Sequence, residues 1–116
     1  TPKRVVREGS ILLCCTASVG QCAFTKIPIT TNQQFNALTI KDDFCPLILD
    51  EYLFVFAKTL KDELHRLSGK TTFEFVSVKK ISNLLIPIPP LNEQARIITC
   101  VKQALSSIMS RLEEIL

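Results

Sequence analysis

The sequence is poor in the residues and motifs from which most active sites are built. Its 116 residues include a single histidine, His65, and no GxGxxG, P-loop or HExxH pattern. A Ser/His/Asp set with recognisable spacing is also missing. The acidic pairs at residues 50–51 and 62–63 are sequence neighbours, which point to different faces of a helix. We therefore predict a chain that is not an enzyme and that carries no metal or cofactor of its own.

Cysteine and apolar residues are present, but not in the patterns of a secreted or membrane protein. The cysteines form an odd set of five without a CxxC pair, namely Cys14, Cys15, Cys22, Cys45 and Cys100. A disulfide framework favours an even number, and a zinc site favours paired spacing together with histidine. The sequence has no run of about 18 apolar residues and no signal-peptide pattern. We expect free thiols, a cytoplasmic protein and no membrane partner.

The composition is sufficient for one packed domain. Hydrophobic residues make up 47% of the chain. A domain near this size buries roughly two-thirds of the surface that its unfolded chain exposes. The net charge of +3 and the pI near 8.7 are mildly basic. This charge balance permits a polyanionic partner without demanding one.

Apolar runs and turn signals predict an α+β fold with a small mixed or antiparallel sheet and one packed helix. Four apolar runs bounded by turn residues have the length of strands. They cover residues 11–15, 21–27, 35–40 and 71–76. Residues 47–67 show helical spacing, and Asp42 or Asp43 can cap this helix. A single helical turn follows Ser77, and residues 84–88 return as an extended segment.

The last third of the chain predicts a long helix of the coiled-coil type. A stiff, proline-rich run at residues 86–90 precedes it, and Asn92 is a suitable N-cap. Six apolar residues then recur at gaps of three, four, three, four and three, which is a heptad seam. They are Ile98, Val101, Leu105, Ile108, Leu112 and Ile115. Because the stripe is still running where the sequence stops, we expect a piece of a longer protein.

Two interpretations of this stripe remain open. Six apolar positions can dock on the domain's own core, and Ile97, Ala104 and Met109 widen the stripe toward that use. The same spacing equally fits a partner helix, either in a second chain or elsewhere in the same protein. The unfinished end of the stripe favours the partner helix.

Two polar loops are candidates for contact with a nucleic acid. The first contains Thr31, whose hydroxyl suits a phosphate, and Asn32, Gln33 and Gln34, whose amides can pair bidentately with adenine. The second is flexible at its glycine and contains one cation followed by hydroxyls. Its candidate residues are Lys70, Thr71 and Thr72. The alternative for both segments is an ordinary solvated loop.

The order of these segments resembles the specificity subunit of type I restriction-modification systems, over nearly the whole chain. Its blocks are Gly9-Ser10-Ile11-Leu12-Leu13, Ala17-Ser18-Val19-Gly20, Asn32-Gln33-Gln34-Phe35, Leu67-Ser68-Gly69-Lys70-Thr71 and Ile86-Pro87-Ile88-Pro89-Pro90-Leu91-Asn92-Glu93-Gln94-Ala95-Arg96-Ile97. The last block is the most specific. The Ser-Gly-Lys-Thr block departs slightly from the usual Gly-Ser/Thr order.

This resemblance implies a non-catalytic DNA reader. Residues 1–90 would be the later part of one target-recognition domain, and residues 91–116 the start of its spacer helix. The domain would read one half of a bipartite double-stranded DNA target, and the helix would pair with a second spacer helix. Methyltransferase subunits holding S-adenosylmethionine and a restriction subunit are the implied partners. The alternative is a protein–protein interaction or dimerisation module that uses the terminal helix without binding DNA.

Overall fold

Short antiparallel strands precede a series of helices along the chain. The computed structural model describes residues 5–14, 20–31, 35–68 and 78–116. Its elements are β1 (Val5–Val6), β2 (Ile11–Cys14), β3 (Cys22–Phe24), β4 (Ile29–Thr30), β5 (Phe35–Leu38), α1 (Asp50–Lys58), α2 (Lys61–Ser68), α3 (Val78–Ser82) and α4 (Leu91–Ile115). The predicted α+β class with a long C-terminal helix is confirmed.

Strand β2 is the centre of a three-stranded antiparallel sheet in the order β3–β2–β5. Ile11 lies opposite Phe24 of β3, and Leu13 lies opposite Cys22. Because alternate residues of a strand share one face, Ile11 and Leu13 are both fully buried. Leu13 packs against Leu64 of α2 in the hydrophobic core. A separate ladder of two residue pairs joins β1 to β4.

Three of the four predicted strands are present, and two of them are shorter than expected. Strand β3 stops at Phe24 before a bend, and β5 ends at Leu38. The predicted strand at residues 71–76 lies outside the described residues. The apolar runs therefore located the sheet correctly, while hydrogen-bonded pairing decided where each strand ends.

Buried hydroxyl groups support the Gly-Ser turn that leads into β2. Gly9 has a φ of 79°, which glycine adopts without a side-chain clash. The backbone N–H of Ser10 donates to Oγ1 of Thr25 at 3.0 Å, and Oγ of Ser10 lies 2.7 Å from Oγ1 of Thr39. Oγ1 of Thr25 donates in turn to the carbonyl oxygen of Arg7 at 3.1 Å. The first block of the sequence resemblance is thus a structural turn, at Gly9 and Ser10, followed by strand β2.

The prediction of one helix over residues 47–67 is wrong, because two helices occupy this region. The hydroxyl of Thr59 donates to the carbonyl oxygen of Phe56 at 2.7 Å, and the Thr59 N–H bonds to the same oxygen at 2.9 Å. The N–H of Leu60 bonds to the carbonyl oxygen of Ala57 at 3.1 Å, which tightens the turn. A local side-chain bond of this kind competes with the helical pattern, so α1 ends and α2 begins anew.

Both predicted helix caps are also wrong. Asp42 and Asp43 belong to a separate 3-10 turn, and Leu49 directly precedes α1. Pro90, not Asn92, directly precedes α4. The carbonyl oxygen of Pro90 accepts the N–H groups of Glu93 and Gln94 at 2.9 and 3.0 Å, so the helix begins before Asn92. No helix in the described part of the chain combines the length and apolar character needed to cross a membrane.

Candidate functional site

The start of helix α4 is fixed to the domain by a buried amide. Gln94 is fully buried, and its Nε2 donates to the carbonyl oxygens of Leu47 and Pro89, each at 2.8 Å. Its Oε1 accepts the backbone N–H of Leu49 at 2.9 Å. Since Leu49 directly precedes α1, this single side chain joins the N-terminal ends of two helices.

Apolar and ionic contacts extend this attachment along the next two turns of α4. Ile98 is only 8% exposed, and Val101 is half-buried. On the flank, Nζ of Lys102 lies 2.8 Å from a carboxylate oxygen of Glu51 on α1. An open cleft of about 430 Å³ lies between α1 and α4. Its lining includes Phe24, Leu49, Asp50, Ala95, Ile98 and Thr99.

The proline-rich run that leads into α4 is tied to the same helix. The hydroxyl of Tyr52, a buried residue of α1, donates to the carbonyl oxygen of Pro87 at 2.7 Å. Proline fixes φ along residues 86–90, so this run has little freedom to bend. Helix α1 therefore holds both the approach to α4 and its first turns.

Beyond Val101, the apolar stripe of α4 leaves the domain and is exposed. Leu105 is 49% exposed, Ile108 55% and Leu112 44%, and Ile115 reaches 78%. Large apolar side chains in a continuous exposed row mark an interaction surface. The six predicted interface residues thus divide into two groups. Ile98 and Val101 lie against the domain, and the four exposed residues form what we call the free stripe.

The two candidate DNA-contact loops lie mostly outside the described residues. Thr31 is half-buried and directly follows β4. Asn32, Gln33 and Gln34 lie outside the described part, between β4 and β5. The same holds for the second loop, with Lys70, Thr71 and Thr72. The assignment of these residues to DNA contact stays a prediction.

Some of the charged side chains on the described surface form ion pairs. Arg7 lies 3.6 Å from the carboxylate of Asp50 and donates to the carbonyl oxygen of Ile40 at 3.1 Å. A hydrogen bond from Arg66 lowers the pKa of Glu63, and this pair is exposed on α2. The pair of Arg7 and Asp50 joins distant parts of the chain, whereas the pair of Arg66 and Glu63 lies within α2.

Burial affects the chemistry of one described thiol. Burial raises the pKa of the Cys22 thiol, although the nearby Lys58 opposes this shift, so the unreactive protonated form is favoured. Among the described cysteines, Cys22, Cys45 and Cys100 are free thiols. Within the described ranges, no three His, Cys, Asp or Glu side chains come together as a metal site.

Sequence reasoning overlooked the buried hydrogen bonds of Gln94 and Tyr52. Gln94 lies four residues before Ile98, at the spacing that places two side chains on one helix face. Extending the apolar stripe backward by one turn would therefore have predicted a buried amide at this position. No comparable signal marks Tyr52, because its partner lies 35 residues away.

Comparisons with known proteins support one family across the chain. A family model described as "Type I restriction modification DNA specificity domain" matches residues 1–116. The specificity subunit of the type I restriction enzyme MjaIX of Methanocaldococcus jannaschii is 35% identical over 98 residues, covering 83% of this chain and 22% of that protein. The EcoprrI specificity subunit of Escherichia coli is 27% identical over 82 residues, covering 71% of this chain and 20% of that protein.

Solved structures share the fold of the chain. One belongs to a study of complex assembly and conformational transition of the type I R-M system, with a TM-score of 0.77, 27% identity, and coverage of 95% of this chain and 26% of that one. The HsdS subunit from Thermoanaerobacter tengcongensis gives a TM-score of 0.76 at 24% identity, covering 95% of this chain and 25% of that one. The chain thus spans between 20% and 26% of the length of these four proteins.

The resemblance stated from the sequence is therefore confirmed. The relatives are named as specificity subunits. Similarity to this class of subunit confirms the prediction of a non-catalytic chain. The match of the family model to all 116 residues shows that the chain belongs to the type I restriction-modification DNA specificity domain family.

Proposed function

We propose that the chain forms part of one DNA target-recognition domain, over residues 1–90, together with the start of its spacer helix, over residues 91–116. In this role the domain reads one half of a bipartite double-stranded target. The family membership and the mildly basic charge balance support the proposal. Methyltransferase and restriction subunits are the proposed partners, and S-adenosylmethionine would be held by the methyltransferase subunit. The proposed location is the cytoplasm.

The observation that carries this proposal is the division of helix α4 into a docked part and a free part. Its first three turns are held by Gln94 and Ile98, whereas the stripe from Leu105 to Ile115 is exposed. A rod held rigidly at one end can keep a reading domain at a set distance from a second one. With about 1.5 Å of rise per residue, the 25 residues of α4 span about 37 Å. The free stripe is the surface available for a second spacer helix or for self-association.

The two polar loops are the proposed DNA contacts, divided by chemistry. The amides of Asn32, Gln33 and Gln34 suit base edges, where sequence is read. Lys70 suits a phosphate, and the hydroxyls of Thr31, Thr71 and Thr72 suit phosphates as well. Contacts of the first kind would specify the target, and contacts of the second kind would hold the domain in register.

The test uses the complete gene product that carries this chain, assembled with its methyltransferase subunits, on duplex DNA at several salt concentrations. Affinity should fall steeply as salt rises, because phosphate contacts release counterions. Lys70→Ala should weaken binding to all sequences. It should also reduce the slope of log affinity against log salt concentration by about 1, which corresponds to one lost phosphate contact. The double variant Gln33→Ala, Gln34→Ala should instead relax the preference for the target. Gln103→Ala, an exposed change on α4, is the matched control.

A second candidate function, a protein–protein module without DNA binding, is favoured by the same free stripe. It predicts association through α4 and no affinity for duplex DNA even in the complete assembly at low salt. That result would remove the DNA-reading proposal. Salt-sensitive DNA binding that responds to Lys70→Ala would remove the alternative.

A further inference from the structure

The buried amide of Gln94 uses most of its hydrogen-bonding capacity on backbone groups. Both Nε2 hydrogens are donated to carbonyl oxygens, and Oε1 accepts one N–H, with all three distances between 2.8 and 2.9 Å. The partners come from Leu47, Leu49 and Pro89, so two separate chain segments share one side chain. If this amide were replaced by a side chain that cannot hydrogen-bond, two carbonyl oxygens and one N–H would lose their partner, which lowers the stability of the fold.

No other side chain reproduces this arrangement. A glutamate carboxylate cannot donate to the carbonyl oxygens of Leu47 and Pro89, and asparagine is one methylene shorter. Methionine has a similar length and is apolar, so it would fill the volume without making the bonds. The requirement for glutamine is therefore geometric as well as chemical, which is expected of a residue that sets an orientation.

Two further polar links join α1 to α4 or to the residues that lead into it. The hydroxyl of Tyr52 bonds to the carbonyl oxygen of Pro87, and Lys102 pairs with Glu51 two turns beyond Gln94. All three links end on α1 or on the residues that lead into it. Contacts spread along the first three turns of a rod restrict its tilt more than a single contact would.

Small tilts of α4 have large consequences at its far end. A tilt of about 10° displaces the end of a rod about 37 Å long by about 6 Å. One base-pair step along DNA is about 3.4 Å. An angular error of this size therefore moves the far end of the helix by more than one base pair.

We propose that Gln94 is a positioning residue that sets the direction of α4 relative to the recognition domain. The hydrogen bond of Tyr52 and the ion pair of Lys102 support it in this role. Through this direction it determines how strictly the separation of the two DNA half-sites is enforced. The inference rests on the proposed function, since it needs a bipartite target. It adds that the attachment of the helix, and not only its length, limits which spacings are accepted.

The test is methylation sequencing of a host that expresses the complete subunit containing this chain with its methyltransferase subunits. The wild-type protein should methylate a two-part motif with one spacer length. Gln94→Met should raise the share of methylated sites whose spacer is one base pair longer or shorter by about tenfold, because the docked end is loosened. Gln103→Met, the same substitution at an exposed position of α4, should leave that share unchanged.

The outcomes separate the inference from the proposed function. If the wild-type complex yields no two-part motif, the proposed function fails, and the inference fails with it. If the motif is found and folded Gln94→Met keeps the wild-type spacing, even with less methylation, Gln94 is only structural and the inference alone is overturned. Should Gln94→Met fail to fold, Gln94→Asn takes its place, since it keeps an amide but is one methylene too short to reach the same partners. Relaxed spacing in this variant supports the inference, and wild-type spacing in the folded variant overturns it.

Discussion

The two halves of helix α4 carry one apolar pattern but have different surroundings. In the first half, Gln94 and Ile98 are buried against the domain, and Lys102 pairs with Glu51. In the second half, Leu105 and Ile108 continue the same stripe into solvent. The difference teaches that a heptad pattern specifies a face and not its partner. The domain covers the stripe only as far as α1 reaches.

The largest expected effect comes from placing a charge in the docked half. Ile98→Asp should lower the free energy of unfolding by roughly 4 kcal/mol, because it combines lost apolar burial with a buried unpaired carboxylate. Urea unfolding followed by circular dichroism measures this change. Ile108→Asp, the matched substitution in the free half, should cost less than about 0.5 kcal/mol. Equal losses at the two positions would remove the distinction between the halves.

The next effect concerns association through the free stripe. The double variant Leu105→Asp, Ile108→Asp should weaken self-association or pairing with a second helix by roughly 100-fold or more, since two large apolar side chains are lost from the contact. Sedimentation velocity should show an associated species converted to monomer, with an unchanged circular dichroism spectrum. An unchanged mass with an intact fold would mean that the stripe serves only this domain.

A smaller effect is expected where the docked half depends on one hydroxyl. Tyr52→Phe removes the bond to the carbonyl oxygen of Pro87 and should cost about 1 kcal/mol of stability. Thermal and urea unfolding both report it. Ser107→Ala, which removes an exposed hydroxyl from the free half, should change stability by less than about 0.5 kcal/mol. A neutral Tyr52→Phe would show that the proline-rich run is held by packing alone.

The smallest effect belongs to the exposed ion pair on the flank of the docked half. Lys102→Met should cost no more than about 0.5 kcal/mol at low salt, because both charged groups remain partly in water. The cost should vanish near 1 M salt, where screening acts over about 3 Å. Unfolding midpoints at two salt concentrations are sufficient. A loss that persists at high salt would point to the apolar stem of Lys102 instead of its charge.

Sequence reasoning located elements well and their ends poorly. The apolar runs correctly identified β2, β3, β5 and the long terminal helix. The helix predicted over residues 47–67 is divided in the structure, because the Thr59 hydroxyl bonds back to Phe56. The caps predicted at Asp42 or Asp43 and at Asn92 were wrong, because Asp42 and Asp43 lie in a separate 3-10 turn and α4 already begins at Leu91.

The candidate site was predicted in part. The apolar stripe was predicted from its spacing, and its first part packs on the domain, as one of the two interpretations held. Its later part is exposed, and pairing of that part with a partner helix stays a prediction. The sequence analysis named Gln94 only as part of a family motif and predicted no contact for it, since its partners Leu47 and Leu49 are more than forty positions away in sequence. The DNA-contact residues remain predictions that only binding measurements can test.

By itself, the sequence determined the α+β class, the positions of the main strands, the apolar face of α4 and the family, because periodicity and local motifs are properties of neighbouring residues. Only the tertiary structure decided which part of that face is covered and which side chain joins the two helix starts. Those outcomes depend on surfaces brought together from distant segments, and no local pattern records where one surface ends against another.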